Sequence, residues 1–193
     1  MTRYAVLIID MLEEFVRGRL KAEAAQKIIP HIKTLIEYAR KKNIPIIFAN
    51  DSHYPGIDYE FSLWGPHALR GSSEARVVEE LAPTEQDYVI YKRRYDAFMY
   101  TDLDTLLREL KVDTLIVTGI HTHICVQNTV LGAFYRGYKV IIPIECVAAI
   151  DEEWNKRGLE YMKKFAGAEL ISLEQLLKMI EHEVEETECP KYL

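Results

Sequence analysis

The stretch that decides the fold runs Thr114-Leu-Ile-Val-Thr-Gly119-Ile-His121-Thr-His123-Ile-Cys125-Val, and its helical continuation ends at Gly137. Thr114–Thr118 is a short apolar run rich in β-branched residues, the signature of a strand buried on both faces. Val126, Val130 and Ala133 then recur at helical spacing, predicting a helix over Cys125–Arg136. A buried strand passing through a tight turn into a helix is half of a βαβ unit. The turn carries a glycine, two histidines and a cysteine. In an open parallel sheet that turn lies at the carboxyl edge, where ligands gather.

The same alternation extends outward in both directions. Tyr4–Ile9, Pro45–Ala49, Tyr88–Tyr91 and Lys139–Ile144 are further short apolar runs, with a weaker one at Glu169–Ser172. Between them, Ile28, Ile32, Leu35, Ile36 and Ala39 keep a helical period. So do Leu103, Leu106, Leu107 and Leu110, and Trp154–Phe165 reads as another helix. Strand–helix alternation with right-handed crossovers predicts an α/β fold with a parallel sheet covered on both faces.

The 193 residues favour one domain, placed at residues 1–180, with the charged, aperiodic residues 181–193 as a C-terminal tail or interface arm. Apolar residues make up 49% and charged residues 28%, which excludes a disordered or fibrous chain. Lys and Arg number 24 against 30 Asp and Glu, a net charge of −6 with no dominant basic stripe, so nucleic acid is not an expected partner. No apolar run approaches the roughly 18 residues of a membrane span, so no membrane partner is expected either. Cys125, Cys146 and Cys189 are an odd number without C-x-x-C spacing, arguing for a reducing, cytoplasmic setting.

One segment breaks the rhythm. Asn50–Ser73 carries Pro, Gly, His and aromatic residues without a sustained period, and a loop of that length in a compact domain is usually functional. It contains Asp51-x-His53, then Glu60, then Trp64-Gly-Pro-His67. Two imidazoles and two carboxylates suit Zn²⁺, Fe²⁺ or Mn²⁺; the plainer reading is a set of solvated loop residues.

The strand ends supply a second set. Cys125 at a helix start is placed where unpaired N–H groups favour a thiolate, although lone intracellular cysteines more often pack as small hydrophobes. Asp10 closes the first strand and Lys92 the third; alone, the one reads as a helix cap and the other as a solvated cation. Together the three supply a nucleophile, a proton acceptor and a cation, the equipment for amide hydrolysis through a thioester. Cys146 reads as packing, and His31 and His182 need no role.

These segments resemble the isochorismatase-like cysteine hydrolases, and within them the nicotinamidases, over roughly residues 4–172. The resemblance lies in Asp10-x4-Phe15, Lys92-x-x-Tyr95 and Gly119-Ile-His-Thr-His-Ile-Cys125-Val. It implies a three-layer αβα fold with a six-stranded parallel sheet and Asp10, Lys92 and Cys125 as catalytic triad. It also implies a cis peptide at Ile120–His121, with the N–H groups of His121 and Cys125 forming an oxyanion hole. Asp51, His53, Glu60 and His67 match metal ligands of the nicotinamidase branch, zinc first among the ions. Phe15 and Trp64 match its aromatic walls, and Tyr95 completes the substrate-binding set. The expected activity is hydrolysis of nicotinamide by a homo-oligomer, a dimer or tetramer. Two alternatives stand beside it: a metal-independent hydrolase of another small amide or ureido compound, and a non-catalytic binding protein on the same fold.

Overall fold

The structure is a computed structural model and describes residues 2–188, the side chains of 183–188 excepted. The strands are β1 (Tyr4–Ile9), β2 (Ile46–Asp51), β3 (Tyr88–Lys92), β4 (Thr114–Ile120), β5 (Lys139–Pro143), β6 (Val147–Ala148) and β7 (Glu169–Ile171). All pair in parallel, in the order β3-β2-β1-β4-β5-β7, with β6 beside the end of β4. The expected six strands form the continuous path. The seventh is two residues long, too short for any period to reveal, and continues the pairing of β4 where β5 turns away.

The central strand shows why the sheet has two covered faces. Every residue of β1 is buried, and the pleat divides them. Tyr4, Val6 and Ile8 join one core with α2 (Ala25–Lys41) and α7 (Leu173–Glu188). Ala5, Leu7 and Ile9 join the opposite core with α4 (Leu103–Glu109), α5 (Gln127–Tyr135) and α6 (Glu152–Ala166). The buried Val, Leu and Ile side chains among these contribute about 1.5–3 kcal/mol each, so both faces of β1 anchor the domain. The two remaining helices, α1 (Glu13–Val16) and α3 (Phe61–Trp64), are single turns at the carboxyl edge of the sheet.

Three sequence readings change in the structure. The helix predicted from Cys125 begins later: Thr122–Val126 forms a wider π turn, and α5 proper starts at Gln127. The segment read as aperiodic contains α3, and β2 extends through Asp51 into it. Helix α7 runs past the boundary drawn at residue 181 as far as Glu188, and Glu181 bonds Tyr38 and Lys42 of α2 and its C-terminus. Cys189 and the last residues lie outside the described residues.

The chain moves outward from β1 to β2 and β3, then returns to place β4 on the other side of β1. That reversal opens a crevice between the carboxyl ends of β1 and β4, and Asp10 and the Gly119–Cys125 turn sit at its two walls. No helix among the described residues is long and apolar enough to cross a membrane.

Candidate active site

Asp10 follows β1 directly with a positive φ of 52°, and its N–H is tied to the Ala49 carbonyl at 3.1 Å. This turns its carboxylate toward β2, where Oδ1 accepts the Asp51 N–H at 2.7 Å. Lys92, the last residue of β3, is fully buried. Its Nζ lies 2.7 Å from Asp10 Oδ2 and 2.6 Å from Asp51 Oδ1. Cys125 is buried in the π turn, its sulfur within 4.8 Å of a carboxylate oxygen of both Asp10 and Asp51. Three distant stretches therefore converge on one point.

Gly119 makes that convergence possible. Its φ is +109°, and a Cβ there would stand 2.0 Å from the Ile9 carbonyl oxygen. Only a glycine lets the end of β4 approach β1 so closely. The Ile120–His121 peptide bond that follows is cis.

Burial dominates the electrostatics. Desolvation and the neighbouring Asp51 carboxylate push Asp10 up to about 6 against the pull of Lys92. Burial would also raise Asp51, but Lys92 and His53 outweigh it and hold that group at about 2. Lys92, despite its own burial, is held well above the usual lysine value by the two carboxylates. The Cys125 thiol is pushed well above its usual value by burial, with Lys92 opposing. Burial and two nearby carboxylates thus oppose the thiolate that a helix start favours, and the helix proper begins two residues later.

Asp51, His53, Glu60 and His67 form the second cluster, all four buried and each offering a ligand atom within 4.8 Å of the others. His53 Nε2 lies 3.6 Å from Asp51 Oδ2 and 3.9 Å from Glu60 Oε2. His53 Nε2 and Glu60 Oε2 are buried and without a hydrogen-bond partner among the described residues, which a folded protein rarely leaves so. His67 Nδ1 donates to the Gly65 carbonyl at 2.8 Å, freeing Nε2. Two imidazoles and two carboxylates with orphaned donor atoms fit a divalent cation. Burial together with Asp51 raises Glu60 to about 7, a crowding of negative charge that a cation would relieve.

Between the two clusters lies a cavity of about 270 Å³ lined by Phe15, Trp64, Tyr95, His121, Ile124 and Cys125. Small-molecule sites start at roughly 300 Å³, so the occupant is small. Trp64 Nε1–H donates to the Tyr95 hydroxyl at 2.7 Å, which fixes both rings. Phe15 meets His67 and His121 edge-on at 6.0 and 5.8 Å. His121 bonds the Leu20 carbonyl through Nε2 at 2.9 Å, and burial lowers its pKa to about 4, so its ring is neutral. Sequence reasoning missed Arg19, Leu20, Lys21, Ile124 and Ile150, which complete the wall. No spacing marks them, since they are brought in by the loop after α1, by the π turn and by the segment just before α6.

The family model for the isochorismatase domain matches residues 4–175. An uncharacterized isochorismatase family protein, YaaI, of Bacillus subtilis is 36% identical, over 90% of this chain and 96% of its own length. The crystal structure of N-carbamoylsarcosine amidase from Thermoplasma acidophilum superposes with a TM-score of 0.82 at 36% identity, covering 90% of this chain and 97% of that one. A pyrazinamidase/nicotinamidase from Streptococcus mutans does so with a TM-score of 0.82 at 32% identity, covering 87% and 99%. With that match along nearly its whole length, the chain belongs to the isochorismatase family.

Proposed function

We propose that the protein is a cysteine amidohydrolase that converts nicotinamide to nicotinate and ammonia. The observation that carries this reading is Lys92, whose one buried ammonium binds Asp10 of the cysteine site and Asp51 of the metal-type cluster together. That bridge sets a nucleophile and a cation-binding set on either side of one small cavity with aromatic walls. The likeness to a pyrazinamidase/nicotinamidase supports the same substrate type.

In this mechanism the neutral Cys125 thiol gives its proton to Asp10 as the sulfur attacks the carboxamide carbon. Asp10, raised to about 6, is ionised at neutral pH yet basic enough to take that proton. Lys92 keeps it ionised and offsets the charge that develops on sulfur. The N–H groups of His121 and Cys125 bind the tetrahedral oxyanion; one such donor is worth about 3–4 kcal/mol of barrier. Asp10 then returns its proton to the departing ammonia, and water cleaves the thioester with Asp10 again as base. Phe15 and Trp64 hold the ring, and Tyr95 holds Trp64. Asp51, His53, Glu60 and His67 would hold a divalent ion, zinc in the first instance, which supplies a Lewis-acid anchor for the pyridine nitrogen.

A second reading has a specific observation of its own. Arg19 and Lys21 line the cavity, Arg19 through bonds to the Trp64 and Pro66 carbonyls, and two cations at the mouth favour a substrate carrying a carboxylate. Together with the likeness to N-carbamoylsarcosine amidase, this favours a ureido acid. Ammonia release from a panel of ring carboxamides and N-carbamoyl amino acids, with and without chelator, decides between them. Chelator-sensitive turnover of nicotinamide supports the first reading. Chelator-resistant turnover of carbamoyl compounds alone replaces it with the second.

A further inference from the structure

Asp58 belongs to neither cluster, yet its side chain is completely buried beside the metal-type set. Its Oδ2 stands 3.1 Å from His53 Nδ1 and accepts the Tyr54 N–H at 2.7 Å. Its Oδ1 accepts Arg93 Nε at 2.8 Å, and Arg93 Nη2 bonds the same oxygen. The Arg93 guanidinium in turn lies over the Tyr54 ring, 4.8 Å from its centre. A buried carboxylate so surrounded by donors is ionised and accepts only. His53 then donates Nδ1–H to Asp58, which turns Nε2, the orphaned atom, toward Asp51 and Glu60 as the atom available to a cation.

We propose that Asp58, charge-balanced by Arg93, is a positioning residue for the metal loop, fixing the tautomer and ring plane of His53 so that Nε2 is ready to ligate. The inference rests on the metal reading above and extends it to a shell that the ligand set does not include. Its geometry has a further consequence. Lys92 and Arg93 are consecutive, Lys92 reaching Asp10 and Asp51 while Arg93 reaches Asp58. The end of β3 therefore holds the cysteine site and the metal loop in a fixed relation to each other. A plainer role for Asp58, closing the turn through the Tyr54 N–H, would not require the contacts with His53 and Arg93.

The experiment is the zinc affinity of the full-length protein, measured by competition with a chromophoric chelator, for the parent, Asp58→Asn, Asp58→Ala and Tyr54→Phe. Asn keeps the shape and an acceptor for the Tyr54 N–H but loses the charge. Phe at 54 keeps that N–H and the ring under Arg93, loses only the hydroxyl bonded by Arg70, and is the control for a change beside Asp58. Outer-shell carboxylates typically contribute 10- to 100-fold in metal affinity. The expected result is a loss of about tenfold in Asp58→Asn, a larger loss in Asp58→Ala, and no change in Tyr54→Phe. Should Asp58→Ala not fold, Asp58→Asn decides. Parent-like affinity, within twofold, in the Asp58 variants overturns the positioning role while leaving the metal reading intact. A parent that binds no zinc overturns both.

Discussion

Asp51 and Lys92 are register partners across β2 and β3, and their side chains form an ion pair of 2.6 Å with essentially no exposure to water. The pair is held by the backbone ladder, so its geometry is set before any ligand arrives. Because Lys92 also meets Asp10 at 2.7 Å, the two carboxylates share a single countercharge. Burial and the Asp51 charge drive Asp10 up to about 6, whereas Lys92 and His53 together hold Asp51 at about 2.

Replacing Lys92 by Met removes that countercharge and leaves two carboxylates buried without it. Breaking a buried ion pair from one side costs about 3–5 kcal/mol. Urea denaturation should show a loss of that order, and amidase activity should fall to background. A variant as stable as the parent would mean that water or another cation reaches the carboxylates.

Cys125→Ala should abolish turnover while leaving the circular dichroism spectrum and zinc content unchanged, because the sulfur lies on the cavity wall and outside the four-residue metal set. Appreciable residual ammonia release would remove covalent catalysis from the mechanism.

The pH dependence follows from Asp10. In the proposed mechanism Asp10 is the base and must be ionised, so the alkylation rate of Cys125 by iodoacetamide should fall as pH drops through about 6 in the metal-free protein. The Asp51 carboxylate contributes to the elevation of Asp10, and a cation bound at Asp51 neutralises part of that charge. The acid limb should therefore move to lower pH when zinc is added. An unchanged limb, or one that moves upward, would contradict the coupling.

The strands and the converging residues were legible in the sequence for a common reason. Short β-branched runs end abruptly in Asp10, Asp51 and the Gly119 turn, and a parallel sheet brings those ends to one edge. Lys92 was legible only by the same logic, since a lysine on an outer strand ordinarily faces water; its complete burial follows from two carboxylates that no local pattern announces. The cavity wall at Arg19–Lys21 and the Asp58–Arg93 pair were not legible. Their positions depend on loop paths and on contacts across the fold, as between Asp58 and Arg93. The sequence shows a helix start that favours a thiolate at Cys125, but the burial and the two nearby carboxylates that oppose it depend on contacts across the fold.

Gly119→Ala tests the close approach of β4 to β1. Alanine at φ +109° is strained by about 1–3 kcal/mol, and the overlap with the Ile9 carbonyl forces the strand ends apart as well. A lowered melting temperature with lost activity is expected. Full activity would show that the catalytic turn tolerates a wider gap between the strands.

Trp64→Leu separates the two substrate readings within one enzyme. Trp64 is pinned to Tyr95 and lines the cavity, so its contribution is a rigid flat wall. Aromatic contacts of this kind contribute about 0.5–1.5 kcal/mol beyond area burial, or about 2- to 10-fold in KM. A planar ring carboxamide should lose that factor in the variant, whereas an acyclic N-carbamoyl acid, oriented by charge at Arg19 and Lys21, should lose little. Conversely, Lys21→Ala should raise KM for the carbamoyl acid and leave the neutral ring amide unchanged. If both substrates respond alike to both substitutions, neither wall is selecting by ring or by charge, and specificity must be traced instead to the turn that carries His121.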